Sequence, residues 1–365
     1  MRHPRTLLLL AVIAMLGLAL TACSTASSSG ARNPVSPPKV TAVASPFSPP
    51  GSSTPHAPFT PAPRIEPIGP FFFVNHADGW LMRVGTLLHT MDGGSTWTVA
   101  YADHNLVLTT VEFVDPMHGW IGGGTGSDCF SESQPHCIAT VLSTVDGGRT
   151  WQTSTVATTG EVRAMRFFDA DNGWAMTRSP ACASCSAHFD VLRTTDGGTS
   201  WTKVYTQAAA MRHDYALVAF DPSHALVLTV DVQYAPSDAG ATWHTSASPC
   251  TAGVDFAAPY VGDSSVLPPD TAWIFCGSHD AGAGMAPKAI LKTTDGGATW
   301  KLQGAAGTYS PLSPGVAELT LAGGPAALQF LDPMHGWYAV AGFGSVMFTT
   351  SDGGRTWESI EAFSE

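Results

Sequence analysis

Hydrolysis of a glycosidic bond needs two carboxyl groups roughly 5 to 9 Å apart, and carboxylates of one kind are scarce in this chain. Between residues 68 and 355 glutamate occurs only at Glu112, Glu132, Glu161 and Glu318. Aspartates are more plentiful, for example Asp103, Asp128, Asp190, Asp214, Asp255, Asp263 and Asp280. Which of them converge is not legible from their spacing. Capture of an anionic substrate would use the planar guanidinium fork, and Arg83, Arg149, Arg163, Arg166, Arg178, Arg193, Arg212 and Arg355 supply it. His118 and His335 recur in one repeated phrase and read as turn residues rather than ligands. No metal set and no cofactor motif is legible.

The elements that must position these groups are set by an internal repeat. One box occurs six times. Its Asp and Trp fall at Asp92 and Trp97, Asp146 and Trp151, Asp196 and Trp201, Asp238 and Trp243, Asp295 and Trp300, and Asp352 and Trp357. Five copies read Asp-Gly-Gly, and the fourth has Ala239 in place of the first glycine. The Asp positions lie 54, 50, 42, 57 and 57 residues apart. A second phrase precedes most boxes and ends at Trp80, Trp120, Trp174, Trp273 and Trp337. Its fuller form has an Asp five residues before the Trp, as in Phe113-Val-Asp115 and Phe330-Leu-Asp332.

Each box predicts a β-hairpin. The Asp accepts hydrogen bonds from its own turn, the glycines supply positive-φ positions, and the Trp opens the return strand. The phrase predicts a second turn between strands. Each unit of about 50 residues then holds four short strands, which is one propeller blade. Such units must stack to bury their faces. The expected fold is all-β: a single β-propeller of six blades of four antiparallel strands over residues 68–365, with seven blades as the alternative. The ring closes by its ends meeting or by a strand exchanged between the first and last blades, and the stretch 301–325 has room for a boxless blade.

These boxes resemble the Asp-box, or bacterial neuraminidase repeat. The paired phrase and box are most similar to propellers of the photosystem II stability/assembly factor type. The resemblance spans about residues 70–360 and implies the propeller fold. It leaves function open, because sialidases, xyloglucanases and the sortilin ectodomain are similar in the same box. Sialidases resemble one another in an Arg triad with a Tyr/Glu pair and an Asp acid/base. No complete set is visible here, and Arg64-Ile65-Glu66-Pro67 is only partly similar to the sialidase Arg-Ile-Pro segment. The 11 Trp are all consumed by boxes and phrases, so none remains as a sugar platform. The twelve box residues are read as structural. Aligned on the phrase Asp, the residue three positions earlier is Phe72, Glu112, Arg166, Val218 or Gln329. Glu112, Arg166 and Gln329, with Glu161 and Arg163, are the candidates for a polar channel or binding mouth. The alternative for the charged ones is a local ion pair.

The N-terminus reads as an address. Arg2 and Arg5 precede an apolar run from Leu7 to Leu20, short of the roughly 20 residues a span needs. Leu20-Thr21-Ala22-Cys23 resembles the lipobox of bacterial lipoproteins, which implies a signal peptide at 1–22 and lipid on Cys23. Two or more acyl chains make such an anchor stable. Residues 23–67 are rich in Ser and Pro and read as a tether. The six other cysteines form an even set in an exported chain. They pair as Cys129–Cys137, Cys182–Cys185 and, by elimination, Cys250–Cys276, with a redox or metal role for Cys182-Ala-Ser-Cys185 as the alternative. A net charge of −12 and only 17 Lys+Arg exclude a phosphate-backbone partner. The expectation is an exported, membrane-anchored scaffold with a protein partner. A glycosidase or a lectin-like glycan binder is the alternative. No cofactor is expected, and an enzyme is the lesser reading.

Overall fold

The computed structural model describes residues 69–360, apart from 84, 104, 127–128, 130–136, 181–185, 209–214, 237–241, 253, 255, 257, 279–286, 307–316, 320–323 and 342–345. The leader at 1–22, Cys23, the tether, Asp238, and the Cys182–Cys185 pair lie outside the described residues.

The described chain forms six sheets, each with four antiparallel strands consecutive in sequence. The first blade contains Phe71–Phe73, Gly79–Arg83, Thr86–Thr90 and Thr98–Ala102. The second contains Leu106–Phe113, Gly119–Thr125, Ile138–Thr144 and Gln152–Ala157. The third runs from Glu161–Phe167 to Thr202–Ala208, and the fourth from Tyr215–Asp221 to Trp243–Ala247. The fifth begins at Pro259–Leu267 and the sixth runs from Gly324–Phe330 to Glu358–Ile360. Seven blades are not formed. Instead Ala317–Glu318 joins the fifth blade as an extra strand, parallel to Lys301–Ala306. Among the described residues, no strand passes from one blade to another, and the sixth and first blades meet directly, with Gln329 bonded to Phe73. The one described helix, Pro249–Ala252, is a single turn.

Local chemistry explains the box. In the second blade the Thr144 hydroxyl donates to Asp146 Oδ1 at 2.8 Å and accepts the Gly148 N–H at 2.9 Å. Asp146 then accepts the Thr150 N–H and hydroxyl at 2.9 and 2.7 Å. Gly147 and Gly148 sit at φ 75° and 87°, a region that costs any side chain energy. The same bonds recur at Asp92, Asp196, Asp295 and Asp352. The first box glycine also donates its N–H to the phrase turn of its own blade: Gly147 to Met117 O at 2.9 Å, and Gly353 to Met334 O at 2.8 Å. Box and phrase turn therefore meet at one end of the five blades whose box is described, which is why they occur together.

The phrase builds the joint between blades. The Phe113 ring lies over Gly119, where a Cβ would come within 2.2 Å of it. That requirement makes the residue before the Trp a glycine. Trp80 of the first blade stacks on the other side of Phe113, with centroids 3.5 Å apart and planes 7° apart. The box Trp151 meets the same ring edge-on at 6.3 Å. Trp120 and Trp273 repeat the stack on Phe167 and Phe330. At the last joint Trp337 stacks on Phe73 at 5.3 Å. The two sets of Trp differ in depth. Of the phrase Trp, Trp80, Trp120, Trp174 and Trp273 are buried and Trp337 is half-buried, whereas all the box Trp are half-buried. The box indole covers the joint rather than filling it.

Candidate functional site

The inner strands of all six blades surround a central cavity of about 720 Å³. Its wall mixes apolar side chains with polar groups. The charged side chains come from a few register positions.

Arg166 is the most connected of them. Its backbone pairs with Trp174, as that of Glu112 pairs with Trp120. From the third blade, Arg166 Nη1 donates to Glu112 Oε2 of the second blade at 3.3 Å. Its Nη2 donates to the Val266 carbonyl of the fifth blade at 3.2 Å. The side chain thus reaches into the cavity and ties three blades. Its buried Nε–H has no acceptor among the described residues. The Glu112–Arg166 pairing is the local ion pair that stood as the alternative to a free binding group.

The carboxyls nearby are perturbed. Burial pushes Glu112 up to about 7; Arg166 pulls it down, and the negative charge of Asp263 adds to the rise. Asp263, on the inner strand of the fifth blade, is raised to about 6 by the surrounding protein, against backbone N–H bonds from Leu328 and Ser264 that lower it. The Leu328 N–H bond is 2.9 Å. Asp263 is exposed toward the channel, and solvent there moderates the rise. Near neutral pH the set therefore offers one guanidinium with a spare donor and carboxyl groups that exchange protons.

The other candidates part company with this group. Glu161 is buried and held by two arginines, Arg163 at 3.3 Å and Arg178 at 3.6 Å. It adjoins the Cys129–Cys137 disulfide, since a Cβ on Gly124 would touch both sulfurs and the Glu161 Cβ. Gln329 is not a free binding group. Its amide bonds both the N–H and the carbonyl of Phe73 at 2.7 Å, so it bridges the sixth blade to the first. Cys250–Cys276 is formed between the single-turn helix and the fifth blade.

Two participants escaped the sequence, the Val266 carbonyl and Ser265, and Asp263 was one of many aspartates with nothing to place it in the cavity. The fifth unit lacks the Phe-x-Asp phrase, so the alignment had no anchor there. Counting eight residues back from each phrase Trp gives Phe72, Glu112, Arg166 and Gln329, and from Trp273 it gives Ser265. Ser265 indeed pairs with Trp273 and donates its register position to the sixth blade, accepting the Phe330 N–H at 2.7 Å.

A family model, photosynthesis system II assembly factor YCF48, matches residues 103–258, which is less than half of the chain. The match covers the second to fourth blades. Similar solved structures include a YCF48 described as bound to a D1 peptide, 19% identical, covering 80% of this chain and 80% of that one with a TM-score of 0.45. YCF48 from Cyanidioschyzon merolae is 16% identical, covering 82% of this chain and 86% of that one, TM-score 0.46. A GH74 xyloglucanase from Xanthomonas campestris is 15% identical, covering 80% of this chain but 45% of that one, TM-score 0.49. No curated protein sequence matches. The chain is a six-bladed β-propeller whose second to fourth blades are similar to the YCF48 assembly-factor family.

Proposed function

We propose that this chain is an exported propeller, anchored by lipid on Cys23 to the outer face of a bacterial membrane, that binds a protein partner and serves as an assembly scaffold. The observation that carries the reading is the match of the second to fourth blades to the assembly-factor model. The cavity is consistent with it in chemistry. Arg166, with its spare Nε–H, suits a carbonyl or carboxylate acceptor, and Glu112 becomes a donor when protonated.

The test is affinity capture of the lipidated, tagged protein from its own membranes. A reproducible partner that is lost with Arg166→Gln supports the reading. Recovery of cell-wall glycan in place of a partner overturns it. Cys23→Ser tests the anchor: the protein should leave the membrane fraction, and retention there removes the lipid from the account. A second reading, glycoside processing, has one observation in its favour. Glu112 and Asp263 share the cavity and both carboxyls are raised, as a general acid requires. Turnover of a glycoside panel, abolished by Glu112→Gln, would favour that reading.

A further inference from the structure

The joint between the sixth and first blades differs from the other five at its phrase turns. His335 belongs to the turn of the sixth blade. Its Nδ1 lies 2.8 Å from Asp332 Oδ2. The other oxygen, Asp332 Oδ1, accepts the Met334 and His335 N–H groups at 2.7 and 2.9 Å. The carboxylate is fixed by the backbone, and it fixes the imidazole in turn. Across the joint stands His76 of the first blade, exposed to solvent. The two rings are perpendicular, with centroids 5.3 Å apart. One donor atom each from His76, Asp332 and His335 lies within 4.8 Å of the others.

The repeat shows that this meeting is particular to one joint. The turn position of His76 is Pro116, Pro222 and Pro333 in the second, fourth and sixth blades, and Ala170 in the third. His118 of the second blade makes the same 2.8 Å contact with Asp115, but it faces a blade with Ala170 at the corresponding turn position. Among the described residues, only where the first and last blades meet does a second imidazole stand opposite the Asp–His pair.

The geometry points to a divalent transition-metal site, of zinc type, formed by His76, His335 and Asp332. Two imidazoles and a carboxylate are a donor set such ions favour. Donors around a tetrahedral ion with bonds of about 2.1 Å stand about 3.4 Å apart. Closing to that spacing takes the exposed His76 ring out of its edge contact with Trp337. Water would complete the coordination. The ion would pin together blades whose turns lie at opposite ends of the folded chain.

The test uses the full chain without a histidine tag, stripped with chelator and dialysed. Zinc chloride is titrated calorimetrically, and melting is followed with and without zinc. One zinc per chain, with a higher melting temperature, is expected. His76→Ala should weaken binding by about tenfold or more and abolish the zinc-dependent shift. His76→Gln provides the same test with a side chain of similar reach. His118→Ala should leave both readouts unchanged. Melting of each variant without zinc shows whether it is folded. The proposal is overturned if zinc in several-fold excess gives no heat and no shift. It is overturned equally if the folded His76 variants bind as the parent does.

Discussion

Trp120 and Trp151 occupy the same blade at different depths, and their substitutions should separate accordingly. Trp120 is buried, stacked on Phe167, and its indole N–H donates to Gly197 O at 2.8 Å. Trp120→Ala should cost about 3–5 kcal/mol in denaturant unfolding. Trp151 is half-buried and should cost distinctly less; equal losses would remove the distinction between joint and cover. The titrating groups make a second prediction. Native Glu112 at about 7 and Asp263 at about 6 hold protons that the unfolded chain, near 4.5 and 3.8, has released. The native state binds more protons between about pH 4 and 7, so this part of stability falls as pH rises through that window. The box carboxylates act in the opposite sense. Asp92, Asp146, Asp295 and Asp352 are held near 2, the first three chiefly by their own Thr hydroxyls and Asp352 by its turn bonds against burial. Their contribution is lost as pH falls from about 4 toward 2. Glu112→Gln should flatten the decline of melting temperature between about pH 5 and 7, and an unchanged slope would show that the native carboxyl holds no extra proton. The box Asp was legible in the sequence because all its partners lie within four residues. The place of Asp263 was not, because Leu328 and Glu112 beside it come from other blades more than 60 residues away in sequence.

At the scale of the element, the glycine of the phrase and the box turn set the blade. Gly119→Ala places a methyl against the Phe113 ring. Overpacking of this kind costs about 1–3 kcal/mol, read as a shift of the denaturant midpoint. The fourth blade has Ala225 at this position, paired with Ala219 where the second blade has Phe113, so Ala is accommodated where the ring is absent. The disulfides divide by loop length. Cys250–Cys276 closes a separation of 26 residues and Cys129–Cys137 one of 8. Loss of the first should cost about 3–4 kcal/mol and of the second nearer 2–3 on chain-entropy grounds. Melting of the two single-Cys→Ala variants under the same conditions checks the order. Four strands per unit were legible from two turn motifs. The added strand Ala317–Glu318 was not, since two residues carry no periodicity.

For the whole molecule, the ring is only as sound as its last joint. Gln329 bonds both backbone groups of Phe73 there, beneath the Trp337–Phe73 stack. Gln329→Leu leaves both unpaired in a buried place, and each buried orphan costs about 1–3 kcal/mol. Native-state hydrogen exchange should then show first-blade amides opening ahead of those in the third, and uniform exchange would place the weak point elsewhere. The architecture has a further consequence. Because every blade is one uninterrupted stretch of chain, a blade can complete its own sheet as soon as its four strands have emerged, while the rest of the chain is still being delivered. Nothing made early waits for a strand made late. Only the ring itself must wait, and an in-frame gain or loss of a whole unit would leave every remaining sheet intact.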